Sequence, residues 1–285
     1  LKSSDNKIYA DFCSNYELLD AGGGQKLERW GDVITIRPER QAYFKSEIPF
    51  TEWEKIAHWK FVEKSNTKGT WKNLNPGPKK WEFPTQGLKF ILELTQYKHI
   101  GIFPEQNINW NFIQQNLGEG KRFLNLFAYT GASSIVAKST NAEVLHVDSV
   151  KQLISWAKSN MEISHLSDIK WVLEDALKFA LREEKRGNTY DMIQMDPPAW
   201  GLGAKGEKWK LEDQLEKLVQ TSYSILNRKG WLILNTYSPS VPLGDSRRIV
   251  EQIFKKKANT CSALWMKTKT DKELYYGDLI RIQKD

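Results

Sequence analysis

From Lys121 onward, short apolar runs alternate with segments of helical spacing, and this alternation limits the fold more than any other feature of the chain. The first run is Phe123-Leu124-Asn125-Leu126-Phe127, with a helix predicted from about Ala132. Val144-Leu145-His146-Val147-Asp148 follows, then Leu153, Ile154, Trp156, Ala157 and Met161 recur at helical spacing. Ile169 to Leu173 makes a third strand, followed by a helix over 176–185, and Met192 to Met195 makes a fourth. A helix over 211–226 precedes a fifth strand, Trp231 to Leu234. Strands that take turns with helices are joined by crossovers and lie parallel, with helices on both faces of the sheet. Ala263-Trp265 and Tyr275-Ile282 predict a closing hairpin with an antiparallel edge strand. The expected class is α/β, a doubly wound, Rossmann-like sheet.

The first part of the chain has another texture. Between Ile8 and about Pro84 the apolar pieces are short, as in Tyr16-Leu19, Val33-Ile36 and Phe44-Phe50. Turn signals separate them, among them Gly22-Gly23-Gly24 and Asn75-Pro76-Gly77-Pro78, which predicts a small domain of hairpins. The division expected is 1–85 for this β-rich domain and 86–285 for the larger one. Leu88 to Leu94 alternates in part and predicts a strand leading into the second region. No apolar run approaches the roughly 18 residues a membrane span needs, and Leu1 to Tyr16 are too polar for a secretion signal. Cys13 and Cys261 are the only cysteines and lie far apart, while His58, His99, His146 and His165 lack metal-ligand spacing. A cytoplasmic protein without metal, membrane or disulfide framework is expected.

The formal charge of +7 favours a polyanionic partner. From Lys60 to Lys80 stand Lys60, Lys64, Lys68, Lys72, Lys79 and Lys80, opposed only by Glu63 and interleaved with Trp71 and Trp81. Lysines for phosphates and rings for bases make a nucleic-acid surface; a solvated loop with anchoring tryptophans has the same composition.

Met192 to Trp200 reads M-I-Q-M-D-P-P-A-W. Two prolines cannot continue a ladder, so the strand must stop at Asp196. Ligands of open α/β sheets bind at the carboxyl ends of the strands. Asp196, the carbonyls of Pro197 and Pro198 freed from strand pairing, and Trp200 would then face a planar, nitrogen-bearing substrate; a plain strand-to-helix turn is the other reading. After the first strand comes Phe127-Ala128-Tyr129-Thr130-Gly131-Ala132-Ser133-Ser134, with one glycine where a dinucleotide fingerprint has three. That loop suits a cofactor without phosphates, such as S-adenosylmethionine. Asp148 stands at the second strand end, about 20 residues beyond the loop, where a carboxylate accepts from ribose hydroxyls or caps the helix beginning at Ser149. Glu174-Asp175-Ala176 ends the third strand, and Asp175 either accepts from an adenine amine or serves as an N-cap.

These motifs resemble the class I S-adenosylmethionine-dependent methyltransferases. More narrowly, the chain is similar to the family of large-subunit ribosomal RNA methyltransferases for cytosine carbon 5 and guanine nitrogen 7. The likeness rests on Gly87-Leu88-Lys89-Phe90, the run from Lys98 to Gln106, Leu124 to Gly131, Val147-Asp148, Glu174-Asp175 and Asp196-Pro197-Pro198. It implies a class I methyltransferase sheet with a small N-terminal β-rich domain. It implies that Phe103 and Gln106 close the cofactor site and that Phe127, Tyr129 and Gly131 line it. Asn125, Ala128, Thr130, Ser149, Glu174, Ala176 and Asp196, in or next to these motifs, are expected to bind the cofactor with them. Asp148 would meet the ribose, Asp175 the adenine and Asp196 the transferred methyl.

Two departures bear on substrate. Cytosine-carbon-5 members carry a nucleophilic cysteine after the fifth strand, where Tyr237-Ser238-Pro239-Ser240 has proline, and that chemistry needs a thiolate. Residues 1 to about 85 do not match the small RNA-binding domain that begins many members. The reading reached is an enzyme, a methyltransferase of a base nitrogen in RNA, most naturally ribosomal. Asp196, Pro197, Pro198 and Trp200 would be at the reacting centre, with Trp200 stacked on the base, and Lys64, Lys68, Lys72, Trp71, Lys205 and Lys208 on RNA. The alternatives are methylation of a protein or small molecule, and an RNA-interaction protein that binds the cofactor without turnover.

Overall fold

The computed structural model describes residues 6–11, 13–65, 68–202, 206 and 208–285. The chain forms two compact units, one of 9–107 with 265–275, the other of an N-terminal piece ending at Ile8 with 108–264 and 276–285. The break falls after Asn107, later than residue 85, because the hairpin and turn that follow residue 79 stay with the β-rich unit.

After a short strand β1 (Lys7–Tyr9), the β-rich unit holds β2 (Tyr16–Gly22), β3 (Gln25–Trp30), β4 (Val33–Pro38), α1 (Phe50–Ile56), β5 (Trp59–Glu63) and β6 (Gly69–Asn73). Its five strands pair in sequence order, antiparallel except for β4 with β5. The β2–β3 turn is the pair Gly23-Gly24, with φ of 54° and 76°. Two successive left-handed residues make the tight turn whose twist matches that of the strands, which is why glycine stands at both places. The strands β7 (Lys80–Thr85) and β8 (Leu88–Glu93) form a separate hairpin, followed by a 3₁₀ turn at Pro104–Gln106.

This unit buries charge. Glu28 is fully buried on β3, where Arg37 donates from Nε at 2.6 Å and from Nη2 at 2.7 Å, and the Tyr16 hydroxyl donates at 2.9 Å. Burial alone would raise its carboxyl, but the charges of Arg37 and Lys26 outweigh it and hold the group at about 2. Asp20 accepts from the amides of Ala21 and Ile48, from the Trp53 indole and from the Thr270 hydroxyl, the last at 2.6 Å.

The second unit contains α2 (Asn107–Asn116), β9 (Arg122–Leu126), α3 (Ala132–Lys138), β10 (Glu143–Asp148), α4 (Lys151–Ile163), β11 (Ile169–Leu173), α5 (Ala176–Arg186) and β12 (Tyr190–Met195). It continues through β13 (Trp200–Leu202), β14 (Lys208–Lys210), α6 (Leu211–Ser224), β15 (Leu226–Thr236), α7 (Leu243–Phe254), β16 (Thr260–Lys267) and β17 (Glu273–Gln283). Trp265–Tyr275, the distal part of the last two strands with their turn, is the piece that counts with the β-rich unit.

The large sheet runs β1-β16-β17-β15-β12-β9-β10-β11. The five strands from β15 to the β11 edge are parallel, and β17 runs antiparallel to β15. The antiparallel strand therefore lies inside the sheet, between β15 and β16, rather than at the edge. In β9, β10 and β12 nearly every residue is buried, as expected of parallel strands covered on both faces. Leu124, Leu126, Val147, Ile193 and Met195 of these strands pack with Leu215, Leu218 and Val219 of α6 in one core. Each such side chain contributes roughly 1.5–3 kcal/mol by leaving water. The order reverses at β9, which has β10 on one side and β12 on the other. Above the carboxyl ends of those strands lies the crevice that α/β sheets use for ligands.

Candidate cofactor and substrate site

The loop after β9 has an unusual backbone. Phe127, Tyr129 and Gly131 all take left-handed conformations, with φ of 57°, 52° and 86°. For the two aromatic residues this costs about 1–3 kcal/mol each, so the surroundings must hold them. They do so through the chain on either side: Ala128 N–H donates to the Val147 carbonyl at 3.1 Å and Tyr129 N–H to Asp148 Oδ2 at 2.9 Å. The Thr130 carbonyl accepts from Asn160 at 3.0 Å. A Cβ on Gly131 would lie 2.9 Å from that of Ala157, so the loop passes α4 closely where only glycine is accommodated. Beneath it, buried Asn125 donates to Ser134 Oγ at 2.9 Å, and Ser134 shares a hydrogen with His146 Nδ1 at 3.0 Å. Burial lowers the His146 imidazole to about 3, so the ring is neutral.

An open cleft of about 360 Å³, its solvent mouth included, lies at the carboxyl ends of the strands. Phe127 follows β9; Asp148 and Ser149 end β10; Asp175 and Ala176 follow β11; Pro198 follows β12; Gly201 and Trp209 come from the β13–β14 hairpin. Asp148 is buried and accepts from the Val150 amide at 2.9 Å besides Tyr129. Burial raises its carboxyl, and the backbone donors pull it part of the way back. Asp175 caps α5, accepting from the Lys178 amide at 2.9 Å. Asp175 thus caps its helix, whereas Asp148 holds two loop amides without capping α4, and both line the cleft. Glu174 beside them is paired with Arg182.

Asp196 directly follows β12 and is half-buried; burial pushes its carboxyl up to about 7. The carbonyls just after it differ from the sequence expectation. That of Pro198 accepts from the Trp209 indole at 2.7 Å and that of Ala199 from the Leu211 amide at 3.1 Å. The segment that follows contains an antiparallel hairpin with Gly201 opposite Trp209. This register corrects the aromatic assignment. Trp209 is 5% exposed and packs on Phe127 with ring centroids 4.9 Å apart, whereas Trp200, on the adjacent rung, is 59% exposed. The rings that line the cleft are those of Phe127 and Trp209, and Trp200 is not among its lining residues.

Other candidates lie elsewhere. Lys64, Lys68 and Lys72 are exposed in the β-rich unit. Trp71 between them donates its indole N–H to the Thr95 carbonyl at 2.9 Å and meets Phe61 edge-on, which makes it an anchor of its own sheet. Phe103 is partly buried against His99, and Gln106 is buried, both in the same unit. Lys208 is exposed on β14, and Lys205 lies outside the described residues. Cys13 is buried, its thiol pushed up to about 12 by desolvation, and Cys261 lies on β16, so neither is on the loop after β15. Among the described residues no cluster of three or more His, Cys, Asp or Glu is placed to hold a metal ion. Nor is any helix among them long and apolar enough to cross a membrane.

The lining suits a nucleoside cofactor. The cleft offers carboxylates at neighbouring strand ends, acceptors of the kind that ribose hydroxyls and an adenine amine require, and the flat apolar rings of Phe127 and Trp209. None of the described lining residues is Lys or Arg, as a pyrophosphate would call for.

Residues 58–241 match the model of a family described as S-adenosylmethionine-dependent methyltransferase. The chain is 30% identical to a crystal structure of the SAM-dependent methyltransferase from Agrobacterium tumefaciens, with a TM-score of 0.92, covering 99% of this chain and 95% of that one. The fold is shared with SMU.776, a methyltransferase complexed with SAH, at 19% identity and a TM-score of 0.77 over 94% of this chain and 75% of that one. Among curated proteins, the ribosomal RNA large subunit methyltransferase K/L of Syntrophotalea carbinolica is 29% identical over 181 residues, 62% of this chain. This match covers only 25% of that protein, so the chain spans about a quarter of the relative's length.

Proposed function

We propose that this chain, which belongs to the S-adenosylmethionine-dependent methyltransferases, transfers the cofactor's methyl group to a base nitrogen of RNA, ribosomal RNA foremost. One observation carries the reaction: a carboxyl at about 7 closes the strand beside the cleft, followed by two prolines. When bound, the cofactor's sulfonium supplies a methyl already activated toward nucleophiles. The protein's task is therefore to hold a nitrogen in line with it. The Asp196 carboxylate accepts a hydrogen bond from the amine, keeps the lone pair aimed at the cleft and receives the proton that the nitrogen sheds. A group titrating near neutrality suits that exchange. Trp209 and Phe127 exclude water from one wall, while Asp148 and Asp175 bind ribose and adenine.

The RNA part of the reading is supported by the exposed lysines 64, 68 and 72 and by the likeness to the Syntrophotalea ribosomal RNA large subunit methyltransferase. Such a substrate is met in the cytoplasm, the compartment we infer. Proline at 239 and the positions of the cysteines favour nitrogen over cytosine carbon 5.

The test is transfer of labelled methyl from S-adenosylmethionine to RNA of a strain lacking the gene, with wild-type RNA and total protein as controls. Nucleoside mass spectrometry then identifies the product. Label confined to deletion-strain RNA as a nitrogen-methylated base is expected; 5-methylcytosine would overturn the choice of atom, and label in protein would replace RNA as substrate. With Lys64, Lys68 and Lys72 changed to Ala, the salt slope of RNA binding is expected to flatten by about 2 if each lysine meets a phosphate. A parental slope would leave those lysines a solvated surface. Asp148→Ala is expected to weaken cofactor binding about 10- to 100-fold by calorimetry, the range for a hydrogen bond to a charged group. An unaltered dissociation constant would confine Asp148 to clamping the Tyr129 amide.

A further inference from the structure

The β13–β14 hairpin has two faces, and the cleft uses one. Its register pairs Trp200 with Lys210, Gly201 with Trp209 and Leu202 with Lys208. Directly opposed residues share a face and successive rungs alternate. The Gly201–Trp209 rung lines the cleft, so Trp200, Lys210 and Lys208 belong to the outer face, where all three are exposed. We propose that this outer face grips an unpaired nucleotide next to the one in the cleft, the Trp200 indole stacking on its base and Lys208 and Lys210 holding flanking phosphates. The inference rests on the RNA reading above and names how that substrate is held.

An exposed indole by itself is unremarkable. What distinguishes this one is its setting, a flat ring directly across the ladder from one ammonium and diagonal to another. Lys210 meets Glu212 only loosely, at 3.9 Å with both side chains about half exposed, and a phosphate replaces such a contact at little cost. The occupant is single-stranded, because a duplex offers no free base face to a ring. The hairpin is also mechanically tied to the reacting centre: the Trp209 indole N–H holds the carbonyl of Pro198, two residues from Asp196. A base on Trp200 and a base in the cleft are then separated by the thickness of one hairpin, which fits neighbouring nucleotides of one strand.

The test uses the full chain and a labelled oligouridylate, with affinity measured over a series of salt concentrations beside methyl transfer to deletion-strain RNA. Trp200→Ala is expected to weaken binding about 5- to 150-fold, the fold-change for losing about 1–3 kcal/mol of base stacking, with the salt slope unchanged. Trp200→Phe keeps a ring and is expected to restore most of it. Lys208 and Lys210 both changed to Ala should instead flatten the slope by about 1.4. Cofactor affinity by calorimetry should stay parental in all three, which also reports folding. If the parent methylates RNA but these variants match it in affinity and slope, the outer face does not touch RNA and the proposal falls alone. If the parent labels protein and neither binds nor labels RNA, the proposed function falls and takes this inference with it.

Discussion

Asp196→Asn is expected to lower methyl transfer by on the order of 10²-fold or more while cofactor affinity stays close to parental. The amide keeps the volume of the carboxyl, so packing at the end of β12 is preserved. It loses the negative charge that accepts from the amine and the capacity to receive its proton, a contribution of this size in general acid–base catalysis. The pH profile provides an independent check. The carboxyl titrates at about 7 instead of 3.8, so in the free enzyme its active, ionised form is lost as pH falls through about 7. Parental kcat/KM should decline below that pH, and residual activity of the variant should be flat through it. Stability has the opposite sign. Between 3.8 and about 7 the folded state keeps a proton the unfolded state has released, so this group's contribution fades as pH rises through that window. A variant with parental turnover would remove Asp196 from the reaction.

Glu28→Ala is expected to be the most damaging change to the β-rich unit, costing about 3–5 kcal/mol, because it leaves the Arg37 guanidinium buried without its carboxylate. The loss should appear as a thermal midpoint lowered by about 10 °C or more. Replacing the ion pair as a whole, with Arg37→Met added to Glu28→Leu, should recover much of the loss, since no charge then remains unpaired. Here the pH dependence runs the other way from Asp196. The Glu28 carboxyl is held at about 2 against an ordinary 4.5, so its stabilisation is complete above 4.5 and disappears as pH falls toward 2. A midpoint for Glu28→Ala equal to the parental one would show that the pair carries no net stability.

The larger unit was readable because parallel strands covered on both faces demand unbroken apolar runs, and those of β9, β10 and β12 are conspicuous. The strand-end positions of Asp148, Asp175 and Asp196 follow from that topology alone. β15 was harder. It begins at Leu226 instead of Trp231, since Asn227-Arg228-Lys229-Gly230 interrupts the apolar pattern while the backbone pairs on through a register shift. The hairpin was hidden for a similar reason: its strands have three residues each, too few for periodicity, and sit in a glycine- and lysine-rich stretch. Which of Trp200 and Trp209 turns inward depends on cross-strand register, which local composition does not encode. Glu28 and Arg37 likewise read as surface charges until β3 and β4 are laid side by side.

The path of the chain carries a consequence for how such a protein can be rearranged genetically. The backbone leaves one unit for the other near residue 8, returns at 107, leaves again at 264 and returns at 275. No single recombination point therefore exchanges the β-rich part as a cassette. A gene fragment starting at Ile108 would encode Trp265–Tyr275 without the residues that segment bonds to: the Leu18 carbonyl that accepts from Lys269 and the Asp20 carboxylate that accepts from Thr270. Exchanging the β-rich part whole takes four junctions, near residues 8, 107, 264 and 275.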